Sequence, residues 1–479
     1  MQVFIVNPSS GRESTAGVYS ETMNPMAPRG VAVIAAVARD MGHETFVEDQ
    51  YATHRGADYI ADVVVEKEID VLGLSVLSPN VPMVETIVRL VKKRSPRTHI
   101  VLGNTHASFF AKELLEANPI DSIVVGEGEH TFTNLLKRIE SGDSLAGVQG
   151  LSYREDELVH LGKPAPQIED LDALPRPGWE LFDLDHYIAP PRLIFHDCLL
   201  ALEASRGCPW KCAYCAQYLW TPKVRKRAMD SVVEEIEWAA RAFGVSSFGF
   251  EDAVFPWSES DGLEFADLMI RRGLHEKIRW FSTTRSDLVT EKLLRAMKKS
   301  GCHYVLYGFE SASGHHLKDA GKNIDPRQAF ETMKMTRKAG LLAYGVFMIG
   351  FPNETVNEAR QTIQYAIDLD PDVASFARVT PYPGTPMYEK YKDFLPEDTP
   401  PWQWNNQYRP QKGETLWELP GLDAAQLMSL LREAMLRFYL RPRIIFRSFR
   451  IGVFSPGDMI RGAVMLLKEI LAKVNAKQN

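Results

Sequence analysis

The sequence predicts an α/β protein with two sheet-bearing parts and a helical tail. Three observations carry this. Short apolar runs alternate with amphipathic stretches from residue 1 to about 150, and again from about 199. Between them lies a proline-rich stretch with little periodicity. Past 392 the strand pattern stops, and arginines interleave with Phe, Ile and Leu.

In the first part, "QVFIVNP", "ETFVED", "DVLGLSVLS", "HIVLGN" and "DSIVVGEGE" read as strands. "RGVAVIAAVARDMG", "VPMVETIVRLVKK", "SFFAKELLEA" and "HTFTNLLKRIE" place apolar residues at helical spacing between them. Such alternation gives a Rossmann-like open parallel sheet over residues 1–150, with ligands expected at the carboxyl ends of the strands. The loops there, "NPSSG", "SVLSPN", "GNTHAS" and "GEGEHT", are rich in Gly, Ser and Asn, so backbone can approach a ligand closely.

Residues 151–198 read as a proline-rich linker packed along a surface. From 199 to 392 six strand candidates follow: "LLALEAS", "SSFGFED", "IRWFSTTR", "HYVLYGFES", "LLAYGVFMIGF" and "VASFARVTPY". Helical patterns such as "SVVEEIEWAARAFG" separate them. Six β/α units closing partway make a partial (β/α)6 TIM-type barrel, with function at the strands' carboxyl ends. Residues 393–479 form an aromatic loop, "PPWQWNNQYRP", and a basic amphipathic helical region.

Composition sets the outer bounds. The 479 residues exceed one ordinary core, and 45% hydrophobic with 24% charged residues describe a globular protein. The N-terminus has no basic stretch leading into an apolar one, and no window holds roughly 18 uninterrupted apolar residues. A cytoplasmic protein is expected. The net charge of −7 divides into +7 from Arg437 to Asn479 and −14 elsewhere. An acidic body disfavours nucleic acid as a partner, whereas the basic tail has the composition of a segment lying on an anionic membrane face. The alternative is a helix that caps the barrel with a solvated basic side.

Three of the five cysteines fall within eight positions, in "RGCPWKCAYCAQ" (206–217). Cys208, Cys212 and Cys215 form C-x3-C-x2-C just after the first barrel strand. Structural zinc closes a tetrahedron with four protein ligands, and four thiolates hold an ordinary iron–sulfur cluster. Three thiols leave one iron with a vacancy for substrate or cofactor. The spacing favours iron–sulfur over zinc without excluding zinc. Cys198 and Cys302 read as buried, inert thiols.

The C-x3-C-x2-C motif, with aromatic Tyr214 before its last cysteine, resembles that of the radical S-adenosylmethionine enzymes, over roughly residues 199–390. "FGFED" (248–252), "STTRSD" (282–287), "GFESAS" (308–313) and "FMIGFPNET" (347–355) stand at the family's strand ends in the family's order. The resemblance implies that Cys208, Cys212 and Cys215 hold a 4Fe-4S cluster whose open iron chelates S-adenosylmethionine. It implies a reductive cleavage giving a 5′-deoxyadenosyl radical, with a flavodoxin or ferredoxin as electron donor. Tyr214, Glu251, Asp252, Arg285, Glu310, Ser311 and Gly350 are the implied S-adenosylmethionine residues. Beside this stands a plainer reading, in which Glu310 and Asp252 are ordinary polar strand ends and Gly350 shapes a turn. No residue is singled out as catalytic.

The first half lacks a dinucleotide or P-loop glycine motif. Placed before such a barrel, it resembles the cobalamin-binding domain of that family's cobalamin-dependent subclass. "LSVLS" (74–78), "GNTHAS" (103–108) and "GEGEHTF" (126–132) carry the likeness. It implies that Ser75, Ser78, Gly103, Asn104, His106, Gly126, Glu127 and Gly128 lie against the corrin. Asn104 replaces the second Gly of the commoner Gly-Gly-x-His. Near His54, "ATHRGA" lacks the Asp and Gly of D-x-H-x-x-G, so no histidine is expected to ligate cobalt in the usual way. A degenerate domain that only shapes the substrate pocket is the alternative.

The expected function is methylation of an unactivated carbon of a small molecule, with a lipid, isoprenoid or tetrapyrrole favoured if the tail meets a membrane. A radical cyclase similar to the anaerobic magnesium-protoporphyrin ester cyclases is the second reading. A non-catalytic cobalamin or metal sensor is the remote third.

Overall fold

Parallel strands must be joined by crossovers, and this chain supplies them as helices striped with alanine and valine. The computed structural model describes residues 1–10, 26–187, 198–217, 223–394, 400 and 418–451. The first sheet contains β1 (Gln2–Asn7), β2 (Glu44–Asp49), β3 (Val71–Ser75), β4 (His99–Gly103), β5 (Ser122–Val124), β6 (Leu151–Glu155) and β7 (Leu158–His160). Its order is β2-β1-β3-β4-β5-β6-β7. Strands β1 to β5 are parallel, and β6 and β7 add an antiparallel edge. The sheet thus continues to His160, inside the stretch read from sequence as linker.

The order reverses between β1 and β3, which opens a crevice at their carboxyl ends. Val3, Ile5, Val71 and Val101 pack on the helices Arg29–Asp40 and Gly128–Ser141. Phe4, Val6, Leu72 and Ile100 pack on Ala57–Glu66, Val81–Arg94 and Ala111–Ala117. The helix Ala57–Glu66 was not anticipated, although Ala57, Ile60, Ala61, Val63 and Val64 make its buried stripe. "SFFAKELLEA" is two short helices, Thr105–Phe109 and Ala111–Ala117, parted at Phe110 (φ −116°, ψ 34°).

Segment 161–187 packs against the first sheet's helices and strand ends. Gly178 N donates to Ala32 O (3.0 Å), Tyr187 donates to Asp49 (2.8 Å), and Trp179 is fully buried. The two halves also meet directly. Ala27 bridges Leu200, and Arg29 is ion-paired with Glu235 in the interior.

The second sheet holds β8 (Leu199–Leu202), β11 (Ser247–Phe250), β12 (Arg279–Thr284), β13 (Cys302–Glu310), β14 (Leu342–Ile349) and β15 (Val373–Arg378), all parallel. A separate two-residue ladder pairs β9 (Ser205–Arg206) with β10 (Arg225–Lys226). The six strands follow one another in space as β15-β14-β13-β12-β11-β8, so the barrel is open between β8 and β15. All six were legible as strands. Behind β11 and β12, Phe250 stacks on Phe255 at 3.7 Å, and Phe265 meets Trp280 edge-on at 5.1 Å. Trp280 Nε1 donates to Ser300 O (3.0 Å), which satisfies its one polar group.

The tail folds back on the last unit. Helix Ala424–Tyr439 buries Leu427, Leu430, Ala434 and Phe438, and the Tyr439 hydroxyl exchanges hydrogen bonds with Ala374 N (3.1 Å) and O (2.7 Å). Arg441 and, from the helix Pro442–Arg450 that follows it, Arg443 and Arg447 then turn towards Asp370, with Arg447 nearest at 2.9 Å. These tail arginines therefore serve a carboxylate of the chain itself. Most of the aromatic segment 400–410 and the basic stretch 452–479 lie outside the described residues. Among the described residues no helix is long and apolar enough to cross a membrane.

Asp370 sits at the focus of this docking, so Asp370→Ala should lower stability by about 2 kcal/mol, the scale of hydrogen bonds to charged groups. Arg443, 75% exposed along its side chain, should cost less than about 0.5 kcal/mol on change to Ala. Urea midpoints of the two variants check this.

Candidate active site

The cysteines lie in a loop that leaves the barrel after β8 and is closed at its neck by the β9–β10 ladder. Within it, Cys215 N donates to Cys212 O (3.0 Å), closing a backbone turn between the two. Ala213 is tied on both sides, its N to Ala320 O (2.8 Å) and its O from Met387 N (3.0 Å). Gly321 (φ +70°) lets Lys211 come close, since a Cβ there would stand 2.7 Å from Lys211 O. All three thiols are half-buried, while Cys198 and Cys302 are buried in the core.

Burial pushes the Cys215 thiol up to about 11. Burial also raises Cys208 and Cys212, with Arg285 and Lys322 opposing it. Thiols in such a setting need a metal or added cations to ionise. A structural zinc site closes with four protein ligands, and this loop offers three thiols. A cluster that takes one thiolate per iron needs them only around its periphery, and a loop offering three half-buried thiols fits it.

Around the loop the implied residues divide into those that face it and those turned away. Tyr214 meets Phe351 edge-on at 6.3 Å, and burial raises its phenol. Arg285 is gripped by Asp287 (2.9 and 2.8 Å) and lies over the Trp210 ring at 4.2 Å. Trp210 in turn stacks on Trp257 at 5.3 Å. Glu310, at a bulge in β13 with φ +62°, accepts from Lys322 Nζ (2.6 Å), which also donates to Gly308 O (2.7 Å). Gly350 (φ +95°) begins the turn after β14, where its N–H donates to Glu354. Burial pushes the Glu354 carboxyl up to about 7.

Two implied residues point elsewhere. Asp252 is buried, accepting from Ala204 N (3.0 Å) and Ser205 Oγ, so it anchors the strand leading into the loop. Burial pushes its carboxyl up to about 7. Glu251 beside it is exposed. Ser311 is fully buried, with its hydroxyl 3.2 Å from Thr362 on the helix behind.

In the first half, Asn104 sits at φ +78°, ψ −177°, a region ordinarily reserved for glycine. The loop keeps a glycine backbone with an asparagine in it. The side chain compensates by donating to Ser75 Oγ (3.0 Å) and accepting from Thr105 N (2.7 Å). His106 is buried, its Nδ1 2.9 Å from Ser78 Oγ, beside Phe110. Space is open over Gly103. Gly126 (φ +93°) donates to Ser108 Oγ (3.3 Å), and Gly128 lies against Ile34. Glu127 is not open to a ligand, because Arg225 and the Ile168 N–H (2.8 Å) take its carboxylate. His54 is exposed and closes the short helix Gln50–Thr53 in a left-handed conformation.

The B12 binding domain family matches residues 17–136, and the Radical SAM superfamily matches residues 202–366. An uncharacterized methyltransferase of Pyrococcus horikoshii is 31% identical over 452 residues, 93% of this chain and 94% of the relative. The chain belongs to the radical S-adenosylmethionine enzymes that carry a B12-binding domain. Within this family, the anaerobic magnesium-protoporphyrin IX monomethyl ester cyclase of Cereibacter sphaeroides is 28% identical over 405 residues, 82% of this chain and 64% of the cyclase. Among solved structures, the radical S-adenosylmethionine methyltransferase TsrM of Kitasatospora setae shares the fold, with a TM-score of 0.71 at 20% identity over 91% of this chain and 89% of TsrM.

Family motifs led to the cysteines but not to Gly321, Lys322, Arg206 or Arg225. A lone Gly-Lys pair and two arginines flanking the loop carry no signal until the fold brings them to it.

Two outcomes follow for the loops. Asn104→Gly should raise stability by about 1 kcal/mol, because relief of the backbone outweighs the lost cap, whereas Asn104→Ala should lower it. Denaturant midpoints check this. Gly321→Ala should displace the cysteine loop and reduce the iron and sulfide retained after anaerobic reconstitution.

Proposed function

We propose that the chain is a cobalamin-dependent methyltransferase acting on an unactivated carbon of a small molecule. The observation that carries the reading is a loop of three half-buried thiols at a barrel's mouth, its neck seated against the first sheet's Gly126–Glu129 loop. When bound, the cluster and S-adenosylmethionine supply one-electron cleavage and hydrogen abstraction, and cobalamin supplies a methyl carrier.

The chain's own residues hold, orient and shield. Cys208, Cys212 and Cys215 are the cluster ligands in this reading. Glu310 with Lys322 offers a carboxylate and an ammonium where an amino acid's two charged groups would need partners. Tyr214, Phe351 and the Gly350 turn give an apolar wall with backbone groups for a planar base. Ser75, Gly103, Asn104 and Gly126 line the crevice for the corrin. Ser78 and His106 support that crevice from inside. A flavodoxin or ferredoxin is the proposed electron source.

The bore supports an apolar or aromatic substrate of lipid, isoprenoid or tetrapyrrole kind. Trp280, Val305 and Ala343 pack in the core behind the strands. The alternating Phe281, Tyr304 and Tyr344 therefore face the bore, with Phe281 stacked on Tyr304 at 4.5 Å. A second reading, oxidative ring closure without methyl transfer, is supported by the likeness to the Cereibacter cyclase across 82% of this chain.

Product analysis separates the two. After anaerobic reconstitution with reductant, hydroxocobalamin and S-adenosylmethionine, 5′-deoxyadenosine should form in wild type and not in Cys212→Ala. Cobalamin-dependent S-adenosylhomocysteine alongside it supports methyl transfer. Deoxyadenosine without it, in the presence of a lipophilic or tetrapyrrole substrate that is consumed, supports the cyclase.

A further inference from the structure

The ladder at the neck of the cysteine loop sets Arg206 directly opposite Arg225. Two like charges side by side would repel each other, and both are turned instead onto the Gly126–Glu129 loop of the first sheet. Arg225 makes a two-pronged pair with Glu127, its Nη1 donating to Oε2 at 2.8 Å and its Nη2 to Oε1. Arg206 donates through Nη2 to Glu129 (2.6 Å) and lies 3.8 Å from Glu127, while its Nε holds Glu203 (3.0 Å). The Arg225 side chain is 2% exposed and that of Glu129 8%. In such surroundings a broken pair leaves a costly bare charge.

The clamp continues in both directions. On one side Gly207 (φ +108°) and Cys208 follow Arg206 in the chain. On the other, Gly126 N bonds Ser108 Oγ (3.3 Å), and Ser108 Oγ bonds Asn104 O (2.8 Å). An unbroken series of contacts thus runs from the Asn104 loop to the first cysteine. Fixed two-pronged geometry transmits displacement as well as attraction, which a solvated surface pair would not.

We propose that Arg206 and Arg225, with Glu127 and Glu129, are positioning residues that couple the two cofactor sites. Occupation of the first sheet's crevice then steadies the cysteine loop, and the loop's occupation steadies the crevice. The inference rests on the reading that this crevice takes cobalamin. By linkage, the coupling is the same in both directions.

The test is amide exchange in peptides covering residues 200–217, on the full-length reconstituted chain with and without hydroxocobalamin, whose binding is followed separately by its visible spectrum. In wild type, saturation should slow exchange there by about fivefold, the lower end of couplings between sites. Glu127→Gln and Glu129→Gln should still bind hydroxocobalamin but lose most of the slowing. Arg29→Gln breaks another pair between the halves, Arg29–Glu235, where Glu235 keeps Arg227 (2.7 Å). It should keep the slowing. Binding without slowing in wild type overturns the coupling and leaves the cofactor reading standing. Loss of slowing in Arg29→Gln as well overturns the clamp in favour of general contact between the halves. Failure of wild type to bind hydroxocobalamin overturns both readings together.

Discussion

Backbone hydrogen bonding around an irregular loop is the constraint on which the site depends. The segment carrying the three thiols is neither helix nor strand over residues 207–216, so its peptide groups must find partners elsewhere. The ladder of Ser205–Arg206 with Arg225–Lys226 closes its base, and Ala213 is tied to Ala320 and Met387. The partners come from after β13 and after β15, so the loop is ordered only when the barrel is assembled. Asp252 serves the same end from β11, holding Ala204 N.

This explains which parts of the molecule could be read from the chain alone. Strands buried on both faces are continuous apolar runs, and all six barrel strands and the first five strands of the other sheet stood out. The edge strands Leu151–Glu155 and Leu158–His160 are half polar and short, and proline follows closely, so they resembled linker. Helix Ala57–Glu66 was passed over because it carries three consecutive valines near its end, Val63 to Val65, whose β-branched side chains favour strand over helix. In the site, the cysteines were legible because their spacing is local. Glu310, Arg285 and Gly350 were legible as residues at the ends of predicted strands. Asp252 and Ser311 stood there too, yet their side chains are drawn to neighbours far along the chain, Ser205 and Thr362. No short motif records that pull.

Asn104 shows a local rule yielding to tertiary demand. Its backbone occupies glycine territory because β4 must turn at once into the helix Thr105–Phe109, with Val76 N bonding Gly103 O (2.9 Å). The amide side chain holds both ends of the turn. A residue that looked like a defect in a motif is a different solution to the same geometry.

The hydroxyl of Tyr439 against Ala374 has a wider meaning. An unclosed barrel ends in a strand whose outer peptide groups would accept another chain as an added strand, and proteins commonly cover such edges. Here a phenol from the tail occupies that position on β15, and the arginines of the next helix fasten the approach below it. The C-terminal segment is thus a guard against self-association: a chain shortened ahead of Tyr439 would present β15 as a template for aggregation.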